Sequence, residues 1–468
     1  MEKERNEAEI LMEELGFEKK HFSVAYSDEE IAKADAFCEG YKQFLRDGKT
    51  ERECVDLVLE RVAKEGFTEF DSKKKYVAGD KVYMNVKGKS VILAVMGKKG
   101  VSEGARIVAA HIDSPRLDLK PTPLYEDSEL AYFKTHYYGG IKKYQWVTIP
   151  LALHGVVFTS DGTEIKVSIG EKEDEPKFVI NDILPHLGAE QSKRTLSDGI
   201  RGEELNILIG SRPFKSDKGS NLVKLNVLKI LNEKYGIKEK DFISAELEMV
   251  PAFPVCDIGF DRSLIGAYGH DDRVCAYPAV EAIIGCTSPE RTTVTVLADK
   301  EEVGSDGNTG LHSAFLEYFI HDLADMEGLK GRDVLRMSQC LSADVNAGYD
   351  PNFPSVHDKY NCCAVNYGAV ITKYTGSRGK SGTNDASAEF MSTIRRILDK
   401  ANVSWQIGEL GKVDEGGGGT VAKYVANLGV DVVDLGVPVL SMHAPWETVS
   451  KFDVYSTYRA CYEFFCAE

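Results

Sequence analysis

The spacing of apolar residues predicts two amphipathic helices early in the chain. The first is expected after Ser27, where a capping side chain and an acidic turn precede apolar residues at helical spacing from Ile31 to Phe44. Thr50 opens a second start signal, TERE, ahead of the apolar positions in CVDLVLERV. Each helix is therefore expected to bury one face.

Strands are predicted where alternation or short apolar runs replace the helical spacing. Residues 81–96 alternate and turn at Lys87-Gly88, which indicates a hairpin. Residues 105–111 form a short apolar run that ends in His111, as expected of a buried strand.

The pattern of predicted strands and helices changes twice along the chain. This predicts two domains, one inserted into the other. Residues 115–252 contain short β-rich runs separated by polar turns, with one helix expected near residues 222–235. From residue 292 onward, strand, loop and helix alternate, as in an α/β sheet flanked by helices. We therefore predict an α/β domain made of residues 1–114 and 253–468, interrupted by a β-rich domain of residues 115–252.

Composition narrows the class of protein. The 468 residues include 57 Lys and Arg against 74 Asp and Glu, and the net charge of −17 argues against nucleic acid as a partner. No apolar run approaches the roughly 18 uncharged residues that span a bilayer, so no membrane association is expected. The charged N-terminus lacks the pattern of a secretory signal, which predicts a cytoplasmic location. The ten cysteines include no C-x-x-C pair, which argues against a zinc ribbon.

Five predicted strand ends carry side chains that can bind a metal ion. In the first, His111 and Asp113 face the same side of an extended chain, so the carboxylate can orient the imidazole. A purely structural His–Asp pair is the alternative. In the second, Asp271 and Asp272 follow an apolar stretch, and adjacent buried carboxylates need a cation to offset their repulsion. Pairing with Arg273 in a solvated turn is the alternative there.

The other three strand ends add carboxylates and a histidine. Glu301 and Glu302 follow the strand TTVTVLA closely, and they face different ways, so one can bind a metal while the other acts as a general base. Asp344 follows the apolar run MSQCL, and His443 follows VDVVDLGVPVL. Each pattern alone also fits an ordinary polar turn. Together, two histidines and several carboxylates suit two divalent ions of zinc, manganese or cobalt, and this chemistry indicates hydrolysis.

The motifs HIDSP, GHDDR, DKEEVGS, SADV and SMHAPWE, in this order and spacing, resemble those of the aspartyl aminopeptidase and aminopeptidase I family of dinuclear zinc metallopeptidases. The resemblance covers nearly the whole chain. It implies a three-layer, mixed-sheet α/β proteolytic domain interrupted by a β-rich dimerisation domain, and a homo-oligomer in which dimers build a dodecamer. The implied reaction removes a neutral or acidic N-terminal residue from peptide substrates with two divalent ions per subunit, zinc foremost.

The resemblance also implies roles for single residues. Five side chains match the metal ligands of the family: His111, Asp271, Glu302, Asp344 and His443. Asp271 matches the bridging ligand, Glu301 the general base, and Asp113 the residue that orients His111.

The residues that the family uses to bind substrate are matched only in part in this chain. Pro185-His186-Leu187 resembles a family motif whose histidine is believed to enter a neighbouring active site, but Glu190 stands where a second histidine is expected. An interface or surface position is the alternative for His186. Lys380 lies where the family places basic substrate contacts, within residues 374–384, although this stretch does not align cleanly. The preference for acidic or neutral N-terminal residues therefore stays open.

Three other functions compete with an aminopeptidase. A metal-dependent deacylase or carboxypeptidase would use the same scaffold, and a single-metal hydrolase would bind one ion per chain. A non-catalytic assembly protein would keep the fold without turnover. The adjacent Glu301 and Glu302 and the complete ligand set favour an enzyme.

Overall fold

A computed structural model describes residues 6–467 of the chain. Two stretches lie outside the described residues: residues 1–5, at the start of the predicted α/β domain, and residue 468. Within the described part, no helix combines the length and the hydrophobicity needed to cross a bilayer.

Two short helices precede the two that apolar spacing predicts. The four are α1 (Glu7–Leu15), α2 (Phe22–Ala25), α3 (Asp28–Asp47) and α4 (Glu51–Ala63). Each predicted helix begins with a capping box, in which Ser27 pairs with Glu30 and Thr50 pairs with Glu53. These caps satisfy backbone N–H groups that would otherwise lack partners, and so they fix where the helices start.

Four strands follow these helices: β1 (Thr68–Glu69), β2 (Lys81–Val86), β3 (Ser90–Val95) and β4 (Arg106–His111). Strands β2 and β3 form the predicted hairpin. Lys87 and Gly88 both have positive φ, as the tight turn that joins twisted strands requires.

Residues 116–251 form a separate antiparallel sheet of seven strands. Its elements are β5 (Arg116–Asp127), β6 (Leu130–Tyr138), β7 (Leu151–Phe158), β8 (Glu164–Ile169), β9 (Val179–Ile180), β10 (Ile207–Gly210), α5 (Leu222–Tyr235) and β11 (Ala245–Pro251). The strand order is β8-β7-β11-β5-β6-β10-β9, and α5 packs on β5, β6 and β10. Because β5 starts shortly after His111, this inserted sheet joins the rest of the protein beside that residue.

The remaining chain completes two more sheets. Its strands are β12 (Cys256–Ile258), β13 (Leu264–Ala267), β14 (Thr293–Ala298), β15 (Gln339–Ser342), β16 (Asn346–Ala347), β17 (Ala369–Thr372), β18 (Trp405–Ile407), β19 (Asp431–Gly436), β20 (Pro438–Leu440) and β21 (Glu447–Ser450). Its helices are α6 (His270–Gly285), α7 (Phe315–Met326), α8 (Gly331–Met337), α9 (Ala388–Lys400), α10 (Ala422–Ala426) and α11 (Lys451–Cys466).

The largest sheet has nine strands in the order β1-β2-β3-β14-β4-β15-β19-β17-β18. Its central strands β14, β4, β15 and β19 are parallel. A separate sheet has five strands, in the order β12-β13-β21-β20-β16. The prediction of a mixed α/β fold is confirmed.

Side chains of β4 alternate between two apolar layers that cover the two faces of the nine-stranded sheet. Val108 and Ala110 belong to the layer that includes residues of α3, α4, α6, α9 and α11. Ile107 and Ala109 belong to the layer that includes residues of α7, α8 and α10. The central strand is therefore buried on both faces, as expected for parallel strands between helices.

Candidate metal centre

Three of the candidate ligand segments follow neighbouring parallel strands. His111 is the last residue of β4, Glu301 and Glu302 follow β14 in a 3-10 turn, and Asp344 follows β15. Because β14 and β15 flank β4 and run parallel to it, the three carboxyl ends meet at one edge of the sheet.

The other two candidate ligands come from outside these strands. Asp271 lies at the start of α6, where the Asp271–Asp272 peptide is cis. Gly269 precedes it at φ +76°, and a Cβ there would lie 1.7 Å from an Nη1 atom of Arg273, so this position requires glycine. His443 follows β20 in a turn, with φ +63°.

Asp271 occupies the centre of the cluster. Its Oδ1 lies 3.2 Å from Nε2 of His111, and its Oδ2 lies 3.0 Å from Nε2 of His443. Glu302 Oε2 is 3.4 Å from the same His443 nitrogen. On the other side, one oxygen each of Glu301 and Asp344 lies 3.8 Å from Nε2 of His111.

These residues fit divalent ions by the chemistry of their donor atoms. Three overlapping groups each offer ligand atoms that lie within 4.8 Å of one another: His111, Glu301 and Asp344; His111, Asp271 and Glu302; and Asp271, Asp272 and Asp344. The buried oxygen Oε1 of Glu302 has no hydrogen-bond partner in the described chain. An unpaired buried carboxylate oxygen is costly, and a cation offsets that cost.

Crowding of carboxylates perturbs the pKa values of the cluster. Burial raises the pKa of Glu301 to about 7, with the charges of Asp113 and Asp271 acting in the same direction. Burial and the charge of Asp271 likewise raise the pKa of Glu302. Burial opposes protonation of His443, but the hydrogen bond to Asp271 and the charges of Glu302 and Asp271 together outweigh burial and raise the pKa to about 10. Positive charge therefore stabilises this site strongly.

Asp113 holds three parts of the centre together. Its Oδ1 faces Nδ1 of His111 at 3.3 Å, and the backbone N–H groups of Glu301 and Glu302 donate to its two oxygens at 3.1 Å each. The hydroxyl of Tyr138 donates to Oδ2 at 2.8 Å. The carboxylate thus fixes both the imidazole and the adjacent glutamates.

Two supporting residues had no assigned role in the sequence analysis. Glu447 accepts the backbone N–H of His443 at 2.7 Å and that of Asp271 at 3.1 Å. It belongs to the motif SMHAPWE, so its place in that motif was the available signal. Tyr138, the second, follows no pattern that marks it.

Other sequence candidates lie away from the cluster. His270 is buried between the hydroxyl of Tyr41 and the carbonyl of Ile265, so both ring nitrogens are engaged elsewhere. His186 is exposed on a 3-10 turn of the inserted domain. Lys380 pairs with Asp385 at 2.8 Å and does not line the cavity at the cluster.

A cavity of about 460 Å³ opens onto the cluster. Asp271, Glu301, Glu302, Asp344 and His443 line one side of it. The rest of its lining includes Val345, Leu410, residues 417–420, Lys423, Tyr424 and Met442. Three consecutive glycines, Gly417, Gly418 and Gly419, therefore border the candidate site.

Comparisons with known proteins identify the family. Residues 44–465 match the family described as aminopeptidase I zinc metalloprotease (M18). A relative from Clostridium acetobutylicum, described as a probable M18 family aminopeptidase 1, is 50% identical over 440 residues, which cover 92% of this chain and 95% of that protein. The family is thus one of metal-dependent peptidases. The chain belongs to the M18 family and is a zinc aminopeptidase, as the motifs predicted.

Solved structures agree with this assignment. The M18 aminopeptidase of Thermotoga maritima superposes with a TM-score of 0.92 at 44% identity, covering 96% of this chain and 99% of that chain. A more distant structure, that of the Saccharomyces cerevisiae mApe1 dodecamer, has a TM-score of 0.75 at 20% identity, covering 93% and 97%. The second likeness shows a shared fold.

Proposed function

We propose that this chain uses two divalent ions to hydrolyse the N-terminal residue from peptides, with Glu301 as the general base. The observation that carries the proposal is the position of Asp271, whose two oxygens face different histidines at 3.2 and 3.0 Å. A carboxylate placed this way suits a bridge between two ions about 3.5 to 4 Å apart.

The ligands divide between two ion positions that share Asp271. His111 and Asp344 would complete one position, and His443 and Glu302 the other. Bound zinc, or manganese or cobalt in its place, supplies Lewis acidity that polarises a carbonyl and lowers the pKa of water.

Glu301 is the carboxylate best placed to move a proton. It lines the cavity, its side chain is 16% exposed while that of Glu302 is 2% exposed, and burial raises its pKa to about 7. A base with a pKa near neutrality can take a proton from attacking water and return it to the leaving amine. Asp113 supports this role by holding the backbone N–H of Glu301 at 3.1 Å.

The cavity supports a preference for neutral over acidic N-terminal residues. Val345, Leu410 and Met442 give its lining an apolar side, which a neutral side chain can cover. Lys423 is the feature that would instead favour an acidic residue. Lys380, paired with Asp385, is less available for that purpose.

One experiment tests the reaction and the number of ions together. Metal-free enzyme is titrated with zinc while it cleaves a panel of aminoacyl anilides, with N-acetylated versions as matched controls. We expect two ions per chain, cleavage of neutral free-amine substrates and no cleavage of acetylated ones. Equal cleavage of both sets would exclude an aminopeptidase, and full activity with one ion per chain would exclude the dinuclear mechanism.

We further propose that the inserted domain mediates homo-oligomer formation, with dimers as the building block of a dodecamer. An apolar surface on this domain is exposed within the single chain, formed by Ile183, Leu184, Leu187 and Leu196. Large exposed apolar patches mark protein contacts, and His186 lies within this one, where it could reach a neighbouring subunit. Light scattering of wild type should give the dodecamer mass, and Leu187→Asp should lower it. An unchanged mass would remove this surface from the interface.

A further inference from the structure

We propose that the segment Tyr138-Gly139-Gly140 is a positioning element through which the inserted domain orients both metal-binding histidines. The inference rests on the proposed function, because it assigns support for that same site. The segment ends β6 at the base of the β5–β6 hairpin, where Tyr138 pairs across the sheet with Arg116. It therefore lies where the inserted domain leaves and rejoins the ligand-bearing chain.

Tyr138 acts on the first histidine through Asp113. Its hydroxyl donates to Asp113 Oδ2 at 2.8 Å. Nδ1 of His111 lies 3.0 Å from the backbone carbonyl oxygen of Asp113 and 3.3 Å from Oδ1 of the same residue. The Arg116 guanidinium lies 4.0 Å from the centre of the Tyr138 ring and pairs with Glu51 at 3.2 Å. The Tyr138 ring is thus held by Arg116, which is paired with Glu51 of α4, as well as by its own strand β6.

Gly140 acts on the second histidine directly. Its carbonyl accepts a hydrogen bond from Nδ1 of His443 at 2.7 Å, which leaves Nε2 facing Asp271 at 3.0 Å. A side chain on Gly139 would strain its φ of +76° and place a Cβ 3.3 Å from Oε2 of Glu302. Glycine at residue 139 therefore lets the backbone come close enough for its neighbour to reach His443.

A histidine ligand needs its second nitrogen held, because that contact fixes the tautomer and the direction of the ring. Removing such a contact commonly weakens metal binding by about 10- to 100-fold. Here Gly140 supplies the contact to His443, and Tyr138 holds Asp113, which supplies the contact to His111. A shift of the hairpin base therefore changes the two histidines together.

Tyr138→Phe tests the hydroxyl while it keeps the ring beside Arg116. Zinc affinity, measured by competition with a chelator, should fall by about 10- to 100-fold. The visible spectrum of the cobalt-substituted protein should change, and the melting temperature of the metal-free protein should not. Tyr137→Phe is the matched control, since this neighbouring side chain lies on the opposite face of β6 and is 40% exposed.

Gly139→Ala is a second and independent variant. Its matched control is Gly162→Ala, because Gly162 has a similar φ of +84° but no heavy atom within 4 Å of the added Cβ. We expect Gly139→Ala to weaken zinc binding and to alter the cobalt spectrum, while the control behaves as wild type. This variant decides the question if Tyr138→Phe does not fold.

Two results would overturn the inference: zinc affinity unchanged in both variants, or the same loss in the controls. The proposed function fails in a different way, namely if wild type binds fewer than two ions or does not hydrolyse peptides. Wild-type activity with unchanged affinity in Tyr138→Phe and Gly139→Ala would therefore reject the positioning element alone.

Discussion

Adjacent glutamates at the end of β14 occupy different environments although they are neighbours in the chain. Both line the cavity, but the side chain of Glu302 is nearly fully buried and faces His443, whereas that of Glu301 is partly exposed. The 3-10 turn after β14 creates this difference, because it rotates successive side chains away from each other. One carboxylate is thereby placed to hold an ion and the other to meet water and substrate.

Glu301→Gln should keep the metal and lose turnover. The amide preserves the shape of the side chain but cannot accept the proton, so kcat should fall by about 10²- to 10⁴-fold. Zinc content per chain, measured by elemental analysis, should match wild type. Activity close to wild type would mean that another group serves as the base.

His443→Ala should instead reduce the metal content. The substitution removes the nitrogen that faces both Asp271 and Glu302, so one ion position loses a ligand. Titration with zinc should then give one tight ion rather than two. Two tight ions in this variant would remove His443 from the ligand set.

The sequence could predict that His111, Glu301, Glu302 and Asp344 lie close together, because they follow predicted strands and parallel strands bring their carboxyl ends to one edge. It also offered Asp113 as the residue that orients His111, but it gave no sign of the contacts made by Tyr138 and Glu447. Tyr138 reaches Asp113 across 25 residues, and Glu447 reaches Asp271 across 176 residues. No local pattern marks a hydrogen bond between partners so far apart, so these contacts require the structure.

At the scale of elements, the predicted bounds were most accurate where a capping motif and the spacing of apolar residues agree. They were least accurate where one backbone segment passes close to another. Helix α5 spans Leu222–Tyr235, as predicted. The apolar run VDVVDLGVPVL, predicted as one strand, divides into β19 and β20 of different sheets. It divides at Gly436, where a Cβ would lie 1.8 Å from the carbonyl oxygen of Asp344. Such a close approach between two backbone segments leaves no periodic pattern in the sequence that could predict it.

Helix α7 provides a test of stability that is separate from the metal centre. Phe319 is 1% exposed, packs 4.8 Å from the ring of Phe70, and belongs to the apolar layer of α7, α8 and α10. Phe319→Ala should therefore destabilise the fold by about 3 to 5 kcal/mol. Its neighbour Tyr318 is 65% exposed, so Tyr318→Ala is the matched control. A melting temperature lowered equally in both variants would contradict this packing role.

At the scale of the whole molecule, a buried histidine connects the seven-stranded sheet to helix α4. His154 of β7 bonds through Nδ1 to Glu53 of α4 at 2.8 Å and through Nε2 to Glu171 at 3.0 Å. Burial opposes its protonation, but the two carboxylates outweigh burial and raise the pKa to about 9. A charged imidazole between two carboxylates thus stabilises the contact between this sheet and α4.

Stability should depend on pH through this contact. Because the folded pKa of about 9 exceeds the unfolded value near 6.5, the stabilisation is full below pH 6.5 and is lost as pH rises through 9. It amounts to about 2 to 3 kcal/mol at about 1.4 kcal/mol per pKa unit, reduced for the partial exposure of the carboxylates. The urea midpoint of His154→Gln should lie well below wild type at pH 6 and approach it near pH 10. A difference that does not change with pH would contradict this account.

The base of the β5–β6 hairpin bears on how this enzyme can be redesigned. Residues 115–252 look like a detachable module, since they build a sheet of their own and both junctions lie close to the catalytic sheet. Excising them would also delete the tyrosine that donates to Asp113 and the carbonyl that accepts from His443. A smaller catalyst cut from this scaffold would therefore need a short graft that restores these two contacts before it could retain its ions.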